Sequence, residues 1–204
     1  MENLYLIVGL GNPGVEYART RHNAGFQVIE SLARRWRAEW AATKKFNALL
    51  ARVRTGDRRV VLCRPQTFMN ASGEAVRAVA DYHGVPAERL LVVVDDADLP
   101  LGELRLRPGG SSGGHHGLES VEQHLGTREF ARQRIGIGRQ AGAREITDHV
   151  LGRFRPGEAA LLDEVLTVAC DQAECWLHAG IQKAMNQFNG VAIDRDSAKE
   201  DRTT

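Results

Sequence analysis

Leu4-Tyr5-Leu6-Ile7-Val8-Gly9-Leu10-Gly11-Asn12-Pro13-Gly14 is the stretch on which the fold turns. An apolar run rich in β-formers stops at a glycine, so the first element is a strand at Leu4–Val8. The glycines satisfy G-x-G-x-x-G, the spacing that lets a dinucleotide pyrophosphate approach a helix N-terminus. Two features argue against that use. Asn12-Pro13-Gly14 is turn chemistry, proline preset for one corner and glycine for the next, which delays the helix instead of opening it on phosphates. The acidic residue expected after the second strand is also missing, because Leu49–Arg54 ends in arginine and Asp57 sits in the turn beyond.

Outward from this stretch, Phe26, Val28, Ile29, Leu32 and Trp36 repeat at helical spacing and predict a helix over Gly25–Trp36. Leu49–Arg54 and Arg59–Cys63 read as a hairpin through Thr55-Gly56-Asp57. Ala75, Val76, Val79 and Ala80 form one stripe of a helix over Ser72–His83. Leu90–Val94 is apolar throughout, as in a strand buried on both faces. An edge strand at Glu103–Arg107, a glycine-rich loop over Gly109–Gly117, a helix at Leu118–Leu125 and a strand at Gln133–Ile137 follow. A long helix over Glu158–Asn189 breaks near Gly180. Strands alternating with helices, plus one hairpin, specify a single α/β domain with a mixed sheet over residues 1–193, and residues 194–204 read as a polar, disordered tail.

Composition narrows the class of molecule. The chain has 204 residues, 43% hydrophobic and 26% charged, with 27 basic against 26 acidic side chains. That is a globular composition, and a uniformly basic nucleic-acid coat is excluded while a local basic face is not. The arginines gather between Arg105 and Arg144: Arg105, Arg107, Arg128, Arg132, Arg134, Arg139 and Arg144. No secretory signal or membrane-length apolar run is visible, and Cys63, Cys170 and Cys175 have no disulfide or zinc spacing. The expected setting is the cytoplasm, with all three thiols reduced.

Polar groups that no core needs collect in loops. One loop holds Asn12, Tyr17, Arg21, His22 and Asn23; a second is Pro65–Gly73, with Phe68, Met69 and Asn70; a third is Asp95–Pro100; the fourth carries His115 and His116. Ligands of open α/β sheets bind beyond the carboxyl ends of the strands, which is where Asn12 and Asp95 stand. His22 is either a helix-terminal histidine bonded to backbone or a base. As a base it needs a carboxylate to fix its tautomer, and Asp95 is best placed, with Asp98 next. Asn12 and Asn70 offer neutral amides suited to a water or a carbonyl oxygen, the alternatives being an Asx-turn and a helix cap. His115 and His116 adjoin each other and point apart, so a shared metal is not expected.

In sequence order, Leu6–Gly14, Tyr17, Thr20-Arg21-His22-Asn23-Ala24-Gly25, Phe68-Met69-Asn70, Asp95–Pro100, Gly113-Gly114-His115-His116-Gly117 and Arg134-Ile135-Gly136-Ile137-Gly138 resemble the bacterial peptidyl-tRNA hydrolases. The resemblance implies a monomer with a mixed, twisted sheet surrounded by helices. It implies a cofactor-free, metal-free hydrolase that cleaves the ester between a peptide and the 3′ ribose of tRNA, acting away from any membrane. By it His22 is the general base and Asp95 its partner, Asn12 and Asn70 hold substrate and water, and Phe68 and Met69 line the cleft. Tyr17, His115 and His116 touch the substrate, and Arg107 and Arg134 contact tRNA. The family reads His-Asn-Gly where this chain has His115-His116-Gly117. A related plastid family keeps the fold as a splicing factor, but the complete set of His22, Asp95, Asn12 and Asn70 favours the enzyme.

Overall fold

The computed structural model describes residues 3–139 and 146–193. The tail from residue 194 and Arg144 lie outside the described residues. Seven strands form one sheet in the order β2-β3-β4-β1-β5-β7-β6. Its centre is parallel: β1 (Leu4–Gly9) lies between β4 (Arg58–Pro65) and β5 (Leu90–Asp96), and β5 pairs with β7 (Ala131–Gly136). The flanks are antiparallel, with β3 (Ala48–Thr55) and β2 (Trp40–Thr43) on one side and β6 (Leu104–Arg107) on the other. The hairpin between β3 and β4 closes through Gly56-Asp57, since Thr55 pairs with Arg58.

Period-two alternation splits the core into two layers. Ile7 and Val93 face α1 (Ala24–Arg35), α5 (Ala159–Ala179) and α6 (Ile181–Phe188), among Val28, Leu32, Ala169 and Trp176. Leu6, Val8 and Val92 face α2 (Ser72–His83) and α3 (His116–Leu125), among Val76, Val79 and Val121. Leu90–Val94 of β5 are buried, as their unbroken apolar run predicts, and Asp95 and Asp96 at the strand's end are buried with them. Each such aliphatic side chain contributes about 1.5–3 kcal/mol relative to exposure. The long C-terminal helix does break at Gly180, and short α4 (Ile146–Val150) precedes it.

The glycines after β1 serve packing rather than phosphate. A Cβ on Gly9 would strike the carbonyl of Gly25, and one on Gly25 would strike that of Val93, so only bare backbone lets α1 seat against β1 and β5. Gly14 turns the chain at φ +115°. The helix then starts only at Ala24, after a 3-10 turn over Arg21–Asn23, and Asn23, Gly25 and Phe26 at its start pack directly on Gly9 and Gly11.

The edge strand at β6 is covered. The Asn189 side chain accepts from Leu106 N at 2.8 Å and donates to Leu106 O at 3.0 Å, and Glu103 forms a bridge to Ala192. Buried Gln172 reaches the same Asn189 amide and also Gln133 on β7, linking the cover to the core.

Candidate active site

The loops that follow the parallel strands meet at one end of the sheet around a cleft of about 340 Å³. Asn12 comes from the loop after β1 and His22 from the 3-10 turn before α1. Phe68, Met69 and Asn70 come from the loop after β4, and Asp95 and Asp96 from the end of β5. Gly113, Gly114, His115 and His116 lead into α3, Arg134 stands on β7, and Val150 and Leu151, late in the chain, complete the lining.

At its floor two histidines share one carboxylate. His22 Nδ1 is 2.9 and 3.0 Å from the two oxygens of Asp95, and His115 Nε2 is 3.1 Å from Oδ1 of the same carboxylate. Tautomers follow from these contacts. The ring Nδ1 of His115 accepts from the backbone N–H groups of Gly117 and Leu118 at 3.1 and 3.2 Å, capping α3, so its proton resides on Nε2 and is donated to Asp95. His22 likewise donates from Nδ1, which leaves its Nε2 lone pair free. Burial of Asp95 alone would raise its pKa. Electrostatic attraction and the hydrogen bond from the His115 ring, then those from His22, outweigh burial and hold the carboxyl far below the usual range.

This arrangement settles between the local alternatives for several residues. His22 bonds a carboxylate rather than backbone. Asp98 instead pairs with Arg139 at the surface, and its backbone N–H donates to Asp96. Asn12 is no Asx-turn: its Oδ1 accepts from Met69 N at 2.8 Å, across two loops. Its own backbone is clamped by Asn23, whose side chain accepts from Asn12 N at 2.8 Å and donates to Asn12 O at 2.9 Å. With Oδ1 occupied, the Asn12 amide nitrogen is left as a donor at the cleft. Asn70 makes no capping bond to α2 and is exposed. Met69 is a core residue against Gly117, whereas Phe68 is 62% exposed.

The sequence reading overlooked two contributions. Asn23 stands beside His22 in the chain but has no partner evident from sequence, since the clamp on Asn12 spans 11 residues. The second hydrogen bond to Asp95, from His115, joins residues 20 apart through a helix cap, for which histidine is an uncommon choice. Tyr17 lies in the turn following Gly14, half-buried, and is not among the residues lining the cleft. His116 lines it but is largely exposed, 3.6 Å from Glu119.

The arginine group divides on folding. Arg132 is 1% exposed, bonds Ser111 O, Glu122 and Arg128 O, and stacks over Phe130. Arg132 therefore does not belong to the local basic face that the gathered arginines suggest: it is a buried strut, and charge counting could not tell it from its exposed neighbours. Arg128 pairs with Glu122 and Arg139 with Asp98. Arg105 and Arg107 point outward from β6, and Arg134 stands at the cleft with Nε 3.0 Å from Asp96.

His22, Asp95 and His115 also place three potential metal-ligand atoms within 4.8 Å of one another. The hydrogen bonds already described oppose ligation. A histidine that binds metal through Nε2 normally donates from Nδ1, but Nδ1 of His115 accepts two backbone N–H bonds. No helix among the described residues is long and apolar enough to cross a membrane.

Comparison with known proteins agrees with this geometry. Residues 6–198 match the family model described as peptidyl-tRNA hydrolase. The chain is 52% identical over 188 residues to a peptidyl-tRNA hydrolase of Synechococcus sp. (strain JA-3-3Ab), covering 91% of this chain and 83% of that one. It is 48% identical to one from Geobacillus kaustophilus, with 90% and 98% covered. The crystal structure of the Acinetobacter baumannii peptidyl-tRNA hydrolase superposes with a TM-score of 0.89 at 36% identity, over 95% of this chain and 98% of that one. Agreement of this extent in both sequence and fold makes the chain a member of the peptidyl-tRNA hydrolase family.

Proposed function

We propose that the chain hydrolyses the ester joining a peptide, or an N-blocked amino acid, to the 3′ ribose of tRNA, returning tRNA from peptidyl-tRNA released by stalled ribosomes. The observation that carries this reading is the His22–Asp95 contact, which leaves Nε2 of His22 unprotonated in a cleft lined by the amides of Asn12 and Asn70. Water attacks the ester carbonyl carbon as its proton passes to His22 Nε2. The Asn12 amide nitrogen donates to the oxygen that gains charge, and Asn70 positions the water or the acyl group. Collapse expels the ribose 3′ oxygen, which takes the proton back from His22. Asp95 stays ionised and supports the imidazolium between those events. A base of this kind contributes roughly 10²–10⁴-fold, and a fixed amide donor adds to it.

No metal or cofactor has a step in this scheme. Phe68, Met69, His115 and His116 form the substrate-facing surface, Tyr17 approaches the substrate from the preceding loop, and Arg107 and Arg134 meet tRNA phosphates. The enzyme acts as a monomer in the cytoplasm, its 1–193 domain being the catalytic unit. The test is release of the blocked amino acid from N-acetyl-aminoacyl-tRNA in EDTA. Turnover lost in His22→Ala is the expected result; absence of turnover in the wild type, or persistence in His22→Ala, overturns the reading.

A further inference from the structure

Beside the base stands a side chain that ester hydrolysis leaves unused. Arg21 is 5% exposed, does not line the cleft, and spends its guanidinium on one segment. Nη1 donates to Arg153 O at 2.5 Å, Nη2 pairs with Glu158 at 2.9 Å, and the group stacks 5.1 Å over the Phe154 ring. The backbone adds to these links: Arg21 N donates to Gly152 O at 2.9 Å, and Thr20 bridges Arg153. Glu158 Oε2 also accepts from Arg155 N at 2.6 Å, so the carboxylate that Arg21 holds also caps the turn within the segment 152–158. A buried guanidinium persists only with partners of this kind.

The segment held by Arg21 begins directly after Val150 and Leu151, which line the cleft. Leu151 is 40% exposed and Phe68 62%, two large apolar side chains left open to solvent in a cleft whose floor carries the amide of Asn12, the carboxylate of Asp95 and the imidazoles of His22 and His115. Exposed apolar surface gathered at a site fits an apolar group of the ligand. The amides suit the acyl carbonyl, and the apolar rim suits the side chain of the residue esterified to ribose.

We propose that Arg21 is a positioning residue for acyl-side selectivity: it ties segment 152–158 to the turn that carries His22 and so fixes Val150 and Leu151 as the wall against which that side chain packs. The proposal rests on the hydrolase reading. Lysine cannot replace the fork, because one ammonium does not reach a carbonyl, a carboxylate and a ring face together.

The test compares N-acetyl-leucyl-tRNA with N-acetyl-glycyl-tRNA on wild type, Arg21→Met, Arg21→Lys, Glu158→Gln and Leu151→Ala, with amide hydrogen exchange over residues 150–158. Arg21→Met is expected to raise KM for the leucyl substrate by roughly 5–20-fold, the effect of losing the packing of about one to two methylenes, while kcat and the glycyl substrate change less than about twofold. Arg21→Lys recovers part of this, and Leu151→Ala adds little on top of Arg21→Met. Glu158→Gln, which keeps an oxygen for Arg155 N, gives a smaller shift of the same kind and serves if Arg21→Met fails to fold. Exchange is faster within 150–158 in the Arg21 variants. An equal loss on both substrates carried by kcat overturns the proposal, as does unchanged exchange in the segment. If the wild type cleaves neither substrate, the hydrolase reading fails instead, and exchange alone decides the tie.

Discussion

His115 Nε2 donates to Asp95 Oδ1 at 3.1 Å while His22 holds the same carboxylate through Nδ1, so one buried acid orients two imidazoles whose rings lie 5.3 Å apart. One ring is committed by its cap on α3 and the other is left able to accept a proton. The asymmetry comes from the backbone, since only His115 has N–H groups bonded to its second nitrogen.

Asp95→Asn replaces an acceptor of two N–H bonds by a group that must present its own NH₂, which unsettles the tautomer of His22. We expect kcat to fall roughly 10²–10⁴-fold, measured as initial rates on N-blocked aminoacyl-tRNA. The wild-type folded-state pKa of Asp95 is depressed, so its stabilisation is fully present above the unfolded carboxylate range, about pH 4, and disappears as pH falls through the lower folded value. Denaturant titrations from neutral pH into acid should show that acid-side slope weakened in Asp95→Asn. An equal slope in both proteins would refute the assignment.

His115 has two duties that substitution can separate. Asparagine is a good cap, so His115→Asn should keep α3 stable while giving up the bond to Asp95, with reduced turnover at near-normal Tm. His115→Ala should give up both, with a further destabilisation of about 1 kcal/mol from the missing cap. Thermal melts and initial rates on the same two variants make the comparison.

Gly25→Ala should be among the most damaging small substitutions in the chain. The new methyl meets the backbone of Val93 and Leu10 rather than a movable side chain. Overpacking of this kind destabilises by about 1–3 kcal/mol or more. A melt indistinguishable from wild type would show that α1 can shift away from the sheet without penalty.

The arginines should behave in two ways. Arg105→Gln and Arg107→Gln remove outward charges from β6, weakening tRNA binding and lowering the slope of log K against log salt by about 1 for each phosphate no longer neutralised. Arg132→Gln strips a buried strut from Glu122 and two carbonyls, and should show first as a lower Tm. Binding isotherms at several salt concentrations, paired with melts, separate the classes.

Much of this is legible in the residues, for definite reasons. The β5 run is readable because burial on both faces demands an unbroken apolar sequence, Asn12 and Asp95 because they stand at the carboxyl ends of strands, and His22 because a base in the loop after β1 calls for a carboxylate partner. Strand β2, Trp40–Thr43, is not foreseen: it is half-exposed with no alternation, and only β3 holds it in the sheet. Short α4 is too brief for a helical stripe to register. Helix α3 begins at His116 rather than Leu118 because His115 supplies a cap that serine, threonine or asparagine would have announced. The arginine count points to a basic face but cannot separate the buried Arg132 from Arg105 and Arg107.

The amide of Asn189 takes both backbone groups of Leu106 on the outermost strand β6. It acts there as a dummy partner strand one residue long. A neighbouring molecule seeking to template itself on that margin finds its hydrogen-bonding positions at Leu106 already filled, and must first peel away the Asn189 segment that α6 delivers. Helix α6 therefore guards against intermolecular strand addition, a duty separate from anything at the cleft, and removing Asn189 would open that margin on the side where Arg105 and Arg107 point outward.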